Sequence, residues 1–376
     1  MDFQLSDQAL VPIHQKVMDG ERLSYEDGLT LFNSPDLLGV GYLANIVRER
    51  TNGNVGYYNL NQHIDYTNVC ILHARCHFCA FARKNIETHG AWELSLEQFL
   101  DKAMYSLENG CTEIHSVGGL HPKLPFQYYL DLLSGLKERM PQVHRKFFTA
   151  VEIHHLARLS KQSIHQTLSA LKEAGLDSMP GGGAEIFSKQ TRDKVCRGKI
   201  DADEWFDIHR QAHELGIPSN VTMLYGHLET VEDRVDHLVR VREGQDVSGG
   251  FVTFIPLAFH PENTRLAYLP STSGLTDLRC VAVSRLMLDN IPHIRAYWIM
   301  LGLKTAQVAL NFGADDIHGT VTEEKITHMA GASSPQSVSV DQIAQLIREA
   351  GRDPIERDTL YNQVIRNGND WQSVAA

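Results

Sequence analysis

The chain has 376 residues, of which 43% are hydrophobic and 22% are charged, so it can bury one large core. This composition excludes a low-complexity or disordered chain, and the formal net charge of −11 argues against broad binding to nucleic acid or anionic lipid. The N-terminal residues show neither a basic start nor an apolar run, so we expect a cytoplasmic protein without a membrane-inserted segment.

Strand-like segments alternate with amphipathic helices through most of the chain, which predicts parallel β/α units. Eight strands are predicted, at residues 63–69, 113–117, 146–153, 176–179, 218–225, 251–259, 293–300 and 316–321. Eight such units are typical of a TIM-type (β/α)8 barrel, whose reactive groups lie where the strands end. We therefore expect an α/β protein with a barrel at residues 56–322. A helical extension is predicted at residues 1–55, and a second one, packed on the barrel, at residues 323–376.

The best-marked helix begins at Ser95, where Gln98 completes a capping box, and ends at Gly110. Its apolar residues share one face, which is typical of the outer layer of a barrel. Further helices are predicted to begin at Ser160, Asp201 and Thr230.

Three of the six cysteines, Cys70, Cys76 and Cys79, fall within one short segment. Three thiolates on one loop can hold three irons of a 4Fe-4S cluster and leave the fourth iron open to a non-protein ligand. A structural zinc site is the alternative, with His73 or His77 as the fourth ligand. We expect the remaining cysteines to be ordinary, partly buried residues: Cys111, Cys196 and Cys280.

The cysteine segment resembles the cluster loop of the radical S-adenosylmethionine (SAM) superfamily, in which SAM chelates the open iron. Phe78 directly precedes Cys79, where the superfamily places a residue against the adenine. The spacing departs from the superfamily pattern, because five residues rather than three separate Cys70 from Cys76. The two extra residues enlarge the loop without removing a ligand.

Further motifs resemble the aminofutalosine synthases: LANIVRER at 43–50, YTNVC at 66–70, VGGLHP at 117–122, GGGAEIF at 181–187, MLYGH at 223–227, FIPLAFHPENT at 254–264 and DDIHGTV at 315–321. The resemblance implies a radical SAM transferase of menaquinone biosynthesis. Such an enzyme adds the 5'-deoxyadenosyl radical to 3-[(1-carboxyvinyl)oxy]benzoate, with rearrangement and loss of the carboxylate, and forms 6-amino-6-deoxyfutalosine.

The same resemblance implies one 4Fe-4S cluster, SAM as a co-substrate, and a reducing flavodoxin or ferredoxin as electron donor. Two other functions stay open: cyclic dehypoxanthine futalosine synthase, of the same superfamily, and a zinc-stabilised interaction protein without catalysis.

The resemblance also implies a SAM site beside the cluster ligands. Gly118 and Gly119 would present backbone to the methionine amino group, and Glu185 would accept hydrogen bonds from the ribose hydroxyls. The alternative interpretations are a plain turn for the glycines and a charge at a helix N-terminus for Glu185.

Histidines predicted at the barrel mouth could bind the two carboxylates of the implied substrate when they are protonated. We assign catalytic roles to His121, His227 and His260. Substrate binding is assigned to His318, Asn263 and Asp316. A structural role stays open for each histidine. Arg295, on the seventh predicted strand, could point inward to a carboxylate, but an arginine at the start of a strand is more often exposed or salt-bridged, so it is not assigned to the site.

Overall fold

The computed structural model describes residues 3–321 and 324–374, in which helices surround a barrel of parallel strands. After a 3-10 turn at Gln8–Leu10, the helices are α1 (Val11–Asp19), α2 (Tyr25–Asn33), α3 (Leu37–Asn52), α4 (Leu96–Glu108), α5 (Phe126–Arg139), α6 (Ala150–Ser160), α7 (Ile164–Ala174), α8 (Lys189–Val195), α9 (Ala202–Glu214), α10 (Val231–Ser248), α11 (Gly274–Met287), α12 (Trp298–Leu301), α13 (Leu303–Ala309), α14 (Ile326–Met329) and α15 (Val340–Glu349). None of these helices is long and apolar enough to span a bilayer.

The strands form a closed ring that confirms the predicted barrel. They are β1 (Val55–Asn59), β2 (Asn61–His63), β3 (Glu113–Ser116), β4 (His144–Phe147), β5 (Ser219–Tyr225), β6 (Phe251–Ala258), β7 (His293–Ile294) and β8 (Asp316–Gly319). Parallel pairing runs from β2 through β3 to β4, and from β5 through β6 to β7. Ser178 and Met179 connect β4 to β5 through single bridges. Another bridge joins β7 to β8, and β8 pairs with β1. Since β1 continues into β2 after a single residue, the ring closes.

Capping side chains set the helix starts as the sequence predicts. Ser95 with Gln98, Asp201 with Glu204, and Thr230 each form a capping box at a helix N-terminus, which confirms those three starts.

The start predicted at Ser160 is wrong, because Ser160 ends α6 and Ser163 caps α7.

Three predicted strands are also too long, and the strand predicted at 176–179 forms only single bridges. The strand predicted at 63–69 ends at His63, the last residue of β2. The strand predicted at 146–153 ends at Phe147, since Thr149 caps α6, and the one predicted at 293–300 ends at Ile294, beyond which α12 begins.

The C-terminal extension is not wholly helical, which corrects the prediction. After α15 the chain forms β9 (Asp353–Glu356), which pairs in parallel with β1, and then a hairpin of β10 (Gln363–Asn367) and β11 (Asp370–Val374). The segment between β9 and β10 places Arg357 and Tyr361, both buried, against the barrel strands. Because this segment contains charged residues, its sequence does not indicate that it is buried.

Arg48 ties the N-terminal helices to the barrel. Its fully buried side chain donates hydrogen bonds to the carbonyl oxygens of Gly53 (2.7 Å), Ala314 (3.3 Å) and Val55. Burial lowers its pKa to about 10, so the guanidinium stays charged at neutral pH. One side chain thus satisfies three backbone acceptors where α3 meets β1 and β8.

We expect Arg48→Met to destabilise the protein by about 2 to 4 kcal/mol, because it leaves buried carbonyl groups without a donor. Arg50→Met is the matched control, since Arg50 lies on the same helix but is exposed, and its loss should cost less than about 0.5 kcal/mol. Urea-induced unfolding measures both values. Equal losses in the two variants would contradict the anchoring role of Arg48.

Candidate active site

A cavity of about 1650 Å³, part of which opens to solvent, lies where the barrel strands end. Its wall includes residues from the cysteine loop, from the loops after β3 and β4, and from strands β5 and β6. The carboxyl ends of barrel strands meet at one face, so residues distant in sequence converge there.

Cys70, Cys76 and Cys79 all line this cavity. The enlarged segment between the first two folds into turns. The N–H of His73 donates to the Cys70 carbonyl at 3.2 Å, and the N–H of Cys76 donates to the Leu72 carbonyl at 3.1 Å. These turns absorb the extra residues and keep the three thiols on one wall. Three cysteine sulfurs facing one cavity are the donor set that fits a 4Fe-4S cluster with an open iron.

A closed zinc site is not preformed in this loop. Across residues 3–321 and 324–374, no group of three or more His, Cys, Asp or Glu side chains is close enough to hold a single ion. Burial raises the pKa of Cys70 and raises that of Cys76 to about 12. Any metal must therefore displace thiol protons when it binds. The other cysteines do not line the cavity and are buried: Cys111, Cys196 and Cys280.

Gly118 and Gly119 line the cavity beside the start of the cysteine loop and have no room for a side chain. A Cβ on Gly118 would lie 2.4 Å from the Tyr66 ring, and one on Gly119 would lie 2.2 Å from the Val69 carbonyl oxygen. The N–H of Gly118 donates to Glu152 at 2.9 Å. The packing therefore requires glycine at both positions, and the cavity wall here consists of backbone without a side chain.

Glu185 lines the cavity in a loop, and α8 begins only at Lys189, so it is not a helix-terminal charge. Its φ of +44° lies in the left-handed region, which few residues other than glycine adopt. The Lys199 ammonium lies 2.5 Å from its carboxylate and 5.0 Å from the centroid of the Phe78 ring. Burial raises the pKa of Glu185, but Lys199 outweighs that effect and holds it below the ordinary value.

Two of the four predicted histidines, His260 and His318, line the cavity. His260 Nε2 lies 3.0 Å from the Met300 carbonyl oxygen. His318 is buried with a φ of +76°, and burial lowers its pKa well below the usual range. His318 is therefore neutral at pH 7 and does not supply the positive charge that the sequence analysis assigned to it.

His121 and His227 are not among the residues that line the cavity. His121 Nε2 lies 2.9 Å from a Glu93 carboxylate oxygen, and its Nδ1 accepts hydrogen bonds from backbone N–H groups at 3.1 and 2.9 Å. The buried His227 ring lies 3.0 Å from Glu229. Both rings are engaged in holding loops, so the structure does not bring them to the cavity.

Asn263 and Asp316 are also placed outside the cavity wall. Asn263 is exposed, and its side-chain amide donates to the Met329 carbonyl at 2.9 Å, which ties its loop to α14. Asp316 is fully buried between Arg295 and Arg357. Its Oδ2 accepts hydrogen bonds from both guanidinium groups, and its Oδ1 accepts one from the N–H of His318, so it acts as a structural anion.

Four polar residues that line the cavity were not predicted as site residues, namely His63, His115, Lys199 and Glu324, and Arg295, which was set aside, lines it too. His63 and His115 lie on barrel strands, and Arg295 directly follows one. Each barrel strand has one face towards the barrel interior and the other against the surrounding helices. A polar residue inside a predicted barrel strand is therefore a signal for an inward side chain. The loop residues among them carry no such signal.

The barrel and the cysteine-lined cavity define a radical SAM enzyme. The sequence model of the radical SAM superfamily matches residues 64–241, and that of the CofH/MqnC C-terminal region matches residues 248–368. Methylornithine synthase has a similar solved structure, with a TM-score of 0.71 over 91% of this chain and 97% of that one. At 19% identity, this likeness concerns the fold alone.

Two curated relatives identify the family within the radical SAM enzymes. The chain is 49% identical to the aminodeoxyfutalosine synthase of Thermus thermophilus, over 96% of this chain and 97% of the relative. It is 43% identical to the aminodeoxyfutalosine synthase of Streptomyces coelicolor, over 94% and 93% respectively. The chain belongs to the aminodeoxyfutalosine synthase family, which confirms the resemblance carried by its motifs.

Glu324 and His328 form an ion pair at the edge of the cavity. Glu324 is buried and lines the cavity wall, and one of its oxygens lies 3.1 Å from His328 Nδ1. A hydrogen bond to Glu324 raises the pKa of His328 to about 9. Burial opposes ionisation of Glu324, but His328 keeps its pKa below the ordinary value.

The Glu324–His328 pair predicts a pH-dependent stability. Because folding raises the pKa of His328 from 6.5 to about 9, its contribution is complete below pH 6.5 and disappears as the pH rises through about 9. The Tm difference between the wild type and His328→Gln should be largest at about pH 6 and close to zero at about pH 10. His165→Gln, on the exposed surface of α7, is the control and should show no such trend. A difference that stays constant with pH would contradict the pairing.

Proposed function

We propose that this chain joins the 5'-deoxyadenosyl group of SAM to the vinyl carbon of 3-[(1-carboxyvinyl)oxy]benzoate and so forms 6-amino-6-deoxyfutalosine. Membership of the aminodeoxyfutalosine synthase family supports the reaction. The observation that carries the proposal is the convergence of three thiols, two bare glycines and Glu185 on one cavity. This is the set of groups that cluster and SAM binding require.

In this proposal Cys70, Cys76 and Cys79 hold the cluster through their sulfurs. When bound, a 4Fe-4S cluster supplies the electron for cleavage of SAM into methionine and the 5'-deoxyadenosyl radical. We further propose that a reduced flavodoxin or ferredoxin in the cytoplasm delivers that electron. The chain's own contribution is to hold SAM and the acceptor in contact and to exclude water.

The SAM-binding residues are proposed from their places on the cavity wall. The bare backbone at Gly118 and Gly119 faces the methionine amino group, and Phe78 contacts the adenine. Glu185 accepts hydrogen bonds from the ribose hydroxyls, because the low pKa imposed by Lys199 keeps it ionised. A charged acceptor binds a neutral hydroxyl more strongly than a neutral acceptor does.

The acceptor substrate requires a site that is apolar around an aromatic ring. Leu224, Ile255, Leu257, Phe259 and Tyr297 line the cavity and supply such a surface. Enclosure by these side chains keeps water away from a carbon radical and holds the vinyl group for attack. His260 and His318 add hydrogen-bonding groups to this wall.

Replacing Cys70, Cys76 or Cys79 by Ala should abolish formation of the adenosyl adduct and lower the iron content below the wild-type value of about four per chain. Cys111→Ala is the control, since Cys111 is buried outside the cavity, and should keep both. Iron analysis and mass spectrometry of the products are the measurements. Release of free 5'-deoxyadenosine with a cyclised product by the wild type would indicate cyclic dehypoxanthine futalosine synthase instead. Full activity of the Cys70 variant would refute the ligand assignment.

Glu185→Gln should weaken SAM binding by about ten- to a hundredfold, because it removes the charged acceptor for the ribose. Glu229→Gln is the matched control, since Glu229 is equally enclosed and pairs with Arg234 at 2.6 Å, but does not line the cavity. Both variants should lose thermal stability, whereas only Glu185→Gln should lose affinity in a SAM titration. Equal affinity losses would show that Glu185 has only a structural role.

A further inference from the structure

A substrate with two carboxylates needs positive charge in the cavity, and three of the histidines that line it, His63, His115 and His318, do not supply it. Burial lowers the pKa of His63 to about 4 and that of His115 and His318 well below the usual range. Among the described residues, the Lys and Arg side chains that line the cavity are Lys199 and Arg295. Lys199 is already paired with Glu185. Arg295 is therefore the remaining permanent cation on this wall.

Two of the three nitrogens of the Arg295 guanidinium have hydrogen-bond partners within the protein. Its Nε lies 3.2 Å from an Asp316 oxygen, and its Nη2 donates to the Tyr361 hydroxyl at 3.3 Å. No described residue accepts a hydrogen bond from the third nitrogen, Nη1, and Nη1 is not among the polar atoms sealed without a partner in the interior. Since Arg295 lines the cavity, this nitrogen is accessible from it.

The charges beneath the cavity do not cancel. Lys146 pairs with Glu113 at 2.5 Å, while Arg295 and Arg357 share the single carboxylate of Asp316. Three cations therefore face two carboxylates, and all five side chains are buried. An excess positive charge in a buried setting is costly unless an anion completes it.

The carboxylates on the cavity wall do not complete this set, because each has partners of its own. Glu185 pairs with Lys199, and Glu324 pairs with His328. Glu152 accepts hydrogen bonds from Tyr66 and from backbone N–H groups. The place beside Arg295 is therefore suited to an anionic group of a ligand.

We propose that Arg295 binds the ring carboxylate of the aryl enolpyruvyl ether and thereby sets the position of its vinyl group relative to SAM. This inference rests on the proposed function. Arg295 directly follows β7, and its N–H donates to the Phe254 carbonyl within β6 at 3.0 Å, so it lies inside the barrel wall. The cysteine loop and Glu185 lie beyond the strand ends.

The shape of the substrate selects between its two carboxylates. The enolpyruvyl carboxylate is attached to the vinyl group itself and must stay near C5' of SAM, at the strand ends. The ring carboxylate is attached meta to the ether oxygen, on the far side of that oxygen from the vinyl group, and reaches deeper into the barrel. Arg295 is at that depth, so it binds the group that the reaction retains. Tyr361 and Arg357 are positioning residues, since they act through Asp316 and Arg295.

The experiment is a cycle that combines one protein change with one substrate change. The protein is the reconstituted holoenzyme, either wild type or Arg295→Gln. The acceptor is either 3-[(1-carboxyvinyl)oxy]benzoate or its analogue with a ring carboxamide. We expect each single change to raise KM by roughly a hundredfold, whereas the double change should add little, because the interaction is already lost. The ratio of adduct to free 5'-deoxyadenosine should fall in parallel.

Arg285→Gln is the matched control. Arg285 is a buried arginine paired at 2.5 Å with Asp315, the neighbour of Asp316, and it does not line the cavity. Its loss should lower stability but leave the roughly hundredfold preference for the carboxylate over the carboxamide unchanged. If Arg295→Gln does not fold, Arg295→Lys serves the same cycle. It keeps the charge and loses the planar fork, so it should show a smaller preference than the wild type.

The outcomes separate the two proposals. If the wild type forms no adenosyl adduct with the carboxylate substrate, the proposed function is wrong. If it forms the adduct but Arg295→Gln and the carboxamide reduce binding independently and multiplicatively, the assignment of Arg295 is overturned. The same holds if the wild type accepts the carboxamide as well as the carboxylate.

Discussion

The buried carboxylate of Asp316 is the interaction on which the barrel interior depends. It accepts hydrogen bonds from Arg357 at 2.8 Å and Tyr361 at 2.5 Å, both on the C-terminal segment, and from Arg295 after β7. The two guanidinium groups and the Tyr361 hydroxyl outweigh burial and hold the pKa of Asp316 at about 2. One anion thus joins two barrel strands to a segment that follows the barrel, and it fixes the orientation of the arginine that faces the cavity.

The same principle organises the upper part of the cavity, where charges are paired before any ligand binds. Lys199 holds Glu185 ionised, and His328 does the same for Glu324. Groups that are already charged and oriented need little reorganisation when a substrate arrives. The apolar surface between these pairs is left for an aromatic ring.

Local sequence patterns predicted the parts of the fold that local interactions decide. Capping boxes gave the helix starts at Ser95, Asp201 and Thr230, and the β/α alternation gave the closed barrel. The motifs also named Cys70 and Glu185, which the structure places on the cavity wall.

Long-range pairing decided what the sequence could not show. Asp316 stands within a conspicuous motif, but its role depends on Arg357, which follows the barrel. His121 was expected at the mouth because it follows a strand and two glycines, yet the side chain is held by Glu93. Arg295 was set aside because an arginine at a strand start is more often exposed or salt-bridged; it is salt-bridged to the buried Asp316 and also lines the cavity, which the sequence alone does not show.

The pairing of β9 with β1 affects the order in which the chain folds during synthesis. Asn54 and Asp353 contact each other across a sequence separation of 299 residues, so this pairing is among the least local contacts in the chain. Contacts of such separation form late and slowly. During synthesis, Arg357 emerges after all eight barrel strands, and until then Asp316 has only part of its final set of partners. The C-terminal segment therefore adds the last partners of Asp316 and Arg295. A nascent chain that ends short of residue 361 lacks the Tyr361 hydroxyl, which accepts a hydrogen bond from Arg295.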